Sequence, residues 1–140
     1  MPTTTPFTPQ TIGETEKALN AILDRLLAGT GLSEPQWVAL AVTAAAAGSA
    51  PSDVLAGRLA GALKVSDAEA RARIGELAAA RLVTEPEPVT LTEAGQALHA
   101  RIRAATAETT ERLWGDLPQE DLATTGRVLA TVLARANAEL

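Results

Sequence analysis

Apolar residues recur at three- and four-residue intervals through most of the chain, broken by glycine, proline and short polar stretches, which predicts successive amphipathic helices. The first begins near Pro9, a residue suited to a first helical turn. It carries Ile12, Leu19, Ile22, Leu23, Leu26 and Leu27 to a Gly29-Thr30-Gly31 stop. The second opens with Ser33 as cap and Pro35 in its first turn, then runs through Trp37, Leu40 and an alanine series to Gly48. It is apolar almost all round, so it is predicted to be buried, with Trp37 in the core. Gly48 to Ser52 reads as a loop, with Ser52 or Asp53 capping the next helix.

Leu55, Leu59, Ala62 and Leu63 form the stripe of a third helix, which breaks at Lys64 and Val65. Ser66 then caps a fourth, with Glu69 placed for a capping box and Asp67 at the positive end of the helix dipole. Its buried side takes Ala70, Ile74, Leu77 and Arg81. Two short helices joined by a tight turn make a helix-turn-helix, the unit that presents its second helix to a DNA major groove. After Leu82 come Leu-Val-Thr, Glu-Pro-Glu-Pro and Val-Thr-Leu, which suit two small strands around a turn, a short wing.

Thr92 caps a long helix with Gly95 in its first turn and Leu98, Ile102, Ala105, Thr109 and Leu113 along one face. Gly115 to Pro118 interrupts it, and Leu122, Leu129, Val132, Leu133 and Ala136 mark a last helix. The fold class is therefore mainly α: a winged helix-turn-helix with long N- and C-terminal helices and a short two-stranded wing. A compact winged helix needs none of the three long helices, so their stripes call for each other or for a second copy, and a homodimer is expected. One domain over residues 1–140 divides into an N-terminal arm and dimerisation helix (1–31), the winged helix-turn-helix (32–91) and the C-terminal dimerisation helices (92–140). The arm from Met1 to Thr8, rich in threonine and proline, is expected to be loose.

Composition narrows the chemistry. A chain of 140 residues, 46% of them hydrophobic, can bury one sizeable core. The absence of cysteine excludes disulfides, zinc–thiolate sites and thiol sensing, and one histidine, His99, excludes a multi-histidine metal site within a subunit. There is no nucleophile motif, phosphate loop or paired-carboxylate arrangement, so no catalytic residue, metal or cofactor is assigned and an enzyme is not expected. The N-terminus lacks a signal-peptide pattern, and the apolar run from Val38 to Ala47 is too short to span a membrane, which points to a cytoplasmic protein. Abundant alanine and ten arginines against two lysines suggest a high-GC bacterial genome. The net charge of -5 speaks mildly against general nucleic-acid affinity.

Five pieces occur in order: Leu-Ser-Glu-Pro-Gln-Trp-Val-Ala-Leu from Leu32 to Leu40, the two-helix unit from Asp53, Leu82-Val83, the short wing, and Leu91-Thr92-Glu93-Ala94-Gly95. Together they resemble the MarR family of bacterial regulators over nearly the whole chain. The resemblance implies a dimer of winged-helix subunits on a pseudo-palindromic double-stranded DNA operator, usually a repressor released by a small aromatic or lipophilic acid.

For DNA, the exposed face of the fourth helix centres on Ala68, Ala72, Gly75 and Ala79, with Arg71 the one forked side chain near enough to read a base. Arg73, Lys64 and Ser66 suit phosphates better. Two features depart from the family pattern. The wing tip is Thr84-Glu85-Pro86-Glu87-Pro88 where family members place arginine or lysine, and Arg81 stands where glycine often closes the recognition helix. For a ligand, the resemblance places a pocket between the dimerising helices and the winged-helix lobe, with His99, Arg103 and Arg101 as polar candidates and Trp37 as a wall. The alternative is a MarR-fold ligand-binding protein that has lost specific DNA recognition, its pocket repurposed and conceivably enzymatic.

Overall fold

Residues 5–85 and 87–140 are described by a computed structural model; the first half of the expected N-terminal arm and the wing's Pro86 lie outside these residues. In chain order the elements are α1 (Pro9–Leu27), α2 (Glu34–Ala45), β1 (Ser49–Ala50), α3 (Ser52–Leu63), α4 (Asp67–Ala79), β2 (Val83–Thr84), β3 (Val89–Leu91), α5 (Glu93–Trp114) and α6 (Gln119–Ala138). The chain divides into two units, one running to Thr106 and the other Ala107–Leu140.

In the first unit the helix starts follow local chemistry. Thr8 caps α1 and pairs reciprocally with Thr11, and Ser33 does the same with Gln36 at α2, each with a proline in the first turn where its missing N–H costs nothing. The chain leaves α1 through Gly29 and Gly31, both at positive φ. Ser66 caps α4 by accepting the Glu69 N–H at 3.1 Å, the first half of the expected capping box. At α3 the expectation is corrected. Neither Ser52 nor Asp53 caps it; Pro51 stands at the cap position without a side-chain bond.

The core gathers Leu40 of α2, Leu55 and Leu59 of α3, Leu77 of α4 and Val89 of β3, all fully buried, with Trp37 among them as predicted. Ala56 takes the buried place that the sequence pattern assigned to Ala62, which is exposed. The wing is the expected two-stranded hairpin of β2 and β3, and β1 adds a third strand to its sheet. β3 lies between β1 and β2, both antiparallel to it, with Ser49 opposite Thr90 and Val83 opposite Leu91. Part of the segment expected as a loop is therefore a sheet edge that anchors the wing to the end of α2.

Helix α4 ends before Arg81, which is exposed at φ 62 rather than on the buried side. Glycine adopts that conformation without the Cβ clash an arginine meets. Thr92 ties the junction beyond it. Its hydroxyl donates to the Arg81 carbonyl at 2.8 Å and accepts the Gly95 N–H at 3.0 Å, so the start of α5 is bolted to the end of α4.

In the second unit, α6 follows the last turns of α5 after the Gly115 to Pro118 break. None of its side chains is buried. Among the described residues no helix is long and apolar enough to cross a membrane.

Candidate functional site

Arg71 sits on the outer side of α4, where the sequence placed a base-reading residue, but its guanidinium is already engaged. Its Nη2 lies 2.7 Å from Asp53 Oδ1 on α3, and its Nε 2.6 Å from Asp67 Oδ2 one turn earlier on α4. The two carboxylates, Asp67 foremost, hold it even more firmly protonated than a free arginine. Arg73 is paired by proximity of charge without a hydrogen bond: its Nε lies 2.9 Å from Glu76 Oε1, which accepts from Gln36 Nε2 at 2.9 Å and so links α4 to α2. In the chain alone, both of these expected DNA contacts therefore face carboxylates of their own subunit.

Lys64 remains exposed at the C-cap of α3, left-handed at φ 58, and forms no ion pair among the described residues. Ser66 uses its oxygen as the α4 cap, which leaves its hydroxyl hydrogen available to an acceptor.

The acidic wing also has a structural partner. The Glu87 carboxylate accepts the Ser52 backbone N–H at 2.9 Å and the Ser52 hydroxyl as well. It provides the cap that Pro51 cannot, across 35 positions of sequence. Glu85 makes no such contact; with Ser52, Arg71 and Ile74 it lines a cleft of about 290 Å³. The sequence pattern marked both glutamates only as a departure from a basic wing tip and carried no sign of the clip. The Asp67–Arg71 pair was findable from its four-residue spacing, whereas Asp53 and Glu87 reach their partners only through the tertiary fold.

A second cavity, of about 400 Å³, is lined by Ala41, Ala44 and Ala45 of α2 and by His99, Ala100 and Arg103 of α5. Two predicted ligand residues, one helical turn apart, thus share a wall opposite a smooth alanine face. Trp37 stands behind them rather than in the lining: its ring stacks on His99 with centroids 5.4 Å apart and planes 25° from parallel. Arg101 is exposed and outside the cavity.

Burial lowers the His99 pKa, and the nearby Arg103 charge lowers it further. The unfolded chain therefore binds this proton more readily than the folded one. The contribution to stability is present above the ordinary histidine value of about 6.5 and is lost as pH falls through that value toward the lower folded one. Urea-unfolding midpoints are expected to fall between about pH 7.5 and 5.5, and to fall less in His99→Gln. Equal slopes in the two proteins would contradict this assignment.

No family model matches the chain, and no curated protein matches it significantly in sequence. Solved structures do match in three dimensions. A MarR protein from Peptoclostridium difficile superposes with a TM-score of 0.78 at 16% identity, covering 99% of this chain and 97% of that one. NadR in complex with 4-hydroxyphenylacetate gives 0.73 at 17% identity, covering 93% and 97%. The Mycobacterium tuberculosis MarR-family protein Rv2887, in complex with DNA, gives 0.70 at 22% identity, covering 91% and 98%. The chain has the winged helix-turn-helix fold of these regulators.

Proposed function

We propose that the chain is a homodimeric DNA-binding transcriptional regulator of the MarR type, acting as a repressor that a small aromatic acid releases from its operator. The observation that carries this reading is the α3–α4 unit with its wing, set in a fold shared almost end to end with a protein solved on DNA. Paired α4 helices would lie in successive major grooves, the first helices of the units crossing the backbone.

The cavity supports the ligand class. Arg103 offers a carboxylate a charge-assisted hydrogen bond, His99 offers a ring nitrogen, and the alanine wall accepts an aromatic ring. NadR, of the same fold, binds such an acid.

The experiment is a mobility-shift titration at low salt with the DNA upstream of the protein's own gene, repeated with 4-hydroxyphenylacetate and related acids. The expected result is a retarded complex that the acid dissolves. Arg103→Ala should retain the complex and weaken its response to the acid by about tenfold or more. Failure of the wild-type protein to retard this DNA would end the regulator reading.

One observation favours a second reading, a ligand-binding protein without specific DNA recognition: Arg71 and Arg73 are both ion-paired within the chain. Acid binding without DNA retention would select it.

A further inference from the structure

The DNA side of a winged helix has two built-in receptors for phosphate: the amides at the N-terminus of the first helix of the two-helix unit, which crosses the backbone, and the arginines of the second. Here the chain's own carboxylates fill both. Glu87 of the wing takes the Ser52 N–H and hydroxyl at the start of α3, and Asp53 and Asp67 take two edges of the Arg71 guanidinium. We propose that Asp53, Asp67 and Glu87 act as internal phosphate mimics that mask this surface, and so set both the chain's DNA affinity and its response to salt. The proposal rests on the DNA-binding reading above.

Three considerations carry it. The Arg71 group bears one positive charge against two negative ones, so its sum repels a phosphate that the arginine alone would attract. Folding does not require the Arg71 pairs, because the Asp53 and Asp67 side chains are 88% and 59% exposed and pairs this exposed contribute little to stability. The occupied atoms are also the ones DNA would use: a helix-terminal amide with its hydroxyl, and the forked donor nearest the centre of the α4 face.

Masking has a signature distinct from a general excess of acid. A free arginine releases a counterion when it meets a phosphate, contributing about 0.9 to the log–log salt slope. A masked arginine releases none on balance, since the carboxylates that stay beside it cancel the charge it would bring to the phosphate. Unmasking therefore steepens the slope as well as raising affinity.

The test measures binding of a short mixed-sequence duplex by fluorescence anisotropy across a salt series, so that no operator need be known. Asp53→Asn with Asp67→Asn is expected to bind on the order of tenfold tighter at low salt, with a slope steeper by about 0.9 per subunit. Glu87→Gln, which keeps an uncharged acceptor on Ser52, should tighten binding too. Glu69→Gln removes one charge from the same turn of α4 without freeing an arginine, and should leave the slope unchanged.

Equal or weaker binding by the double variant, with the wild type binding, would overturn the mask and make the carboxylates supports that position Arg71. Equal gains in affinity and slope from Glu69→Gln would also overturn it, leaving net charge as the cause. Absence of binding by every protein, wild type and variants alike, would instead remove the DNA reading and the mask with it.

Discussion

Gly95→Ala is expected to cost about 3 kcal/mol or more, or to prevent the wing from seating at all. A Cβ built there lies 2.1 Å from the Leu82 carbonyl oxygen, 3.0 Å from the Leu82 carbonyl carbon and 3.2 Å from Leu91 Cδ2. The first two are backbone atoms and cannot swing aside. Nor can that carbonyl retreat cheaply, since it accepts the Thr92 N–H at 3.0 Å while the Thr92 hydroxyl grips both Arg81 and Gly95. Chemical denaturation monitored by circular dichroism measures the loss. Gly75→Ala, in open space inside α4, is the matched comparison and should be neutral or stabilising by about 0.5–1 kcal/mol, because alanine favours a helix interior over glycine. If the two alanines behaved alike, close backbone approach would not be the reason for glycine at 95.

The contrast between those two glycines illustrates what the sequence could convey. Both look alike in one dimension; only the fold brings a carbonyl against one of them. Signals confined to a few neighbouring residues were legible: the Ser33 and Ser66 caps, the stripe of Ala70, Ile74 and Leu77, and the helix break at Lys64. The MarR-like order of elements followed from them, and with it the choice of His99, Arg101 and Arg103 as polar candidates on the helix after the wing; the fold brings only His99 and Arg103 to the cavity. Signals that depend on tertiary pairing were not. Strand β1 has two residues and exists because β3 offers an edge, so no periodicity announces it. Ala56 and Ala62 are the same residue type on neighbouring turns, and only packing chooses between them. The clip was hidden for the same reason. As a string, Glu-Pro-Glu-Pro is a charged tip; in space one of its carboxylates is the cap of a helix 35 residues earlier.

The proposed dimer yields the other large effect. Helix α6 is 20 residues long and has no buried side chain, yet Val128, Leu129, Val132 and Leu133 leave 46%, 38%, 42% and 58% of their surface in water. A helix in a folded protein owes most of its stability to packing of an apolar face, and this one finds too little within a single chain. Leu122, Leu129 and Ala136 recur every seven residues with Val132 and Leu133 between, the spacing of a seam that a second helix can fill. Light scattering after gel filtration is accordingly expected to give twice the 14.4 kDa chain mass. Leu133→Asp is the discriminating variant, because its site is exposed in one subunit and in the proposed dimer would be covered by the partner. The subunit should fold, while burying an unpaired carboxylate costs the dimer several kcal/mol, enough to raise its dissociation constant about a hundredfold or more. DNA affinity should fall with it, since one recognition helix cannot hold two half-sites. A wild-type monomer at micromolar concentration, or a Leu133→Asp protein that stays dimeric, would rule out this face as the joint between subunits.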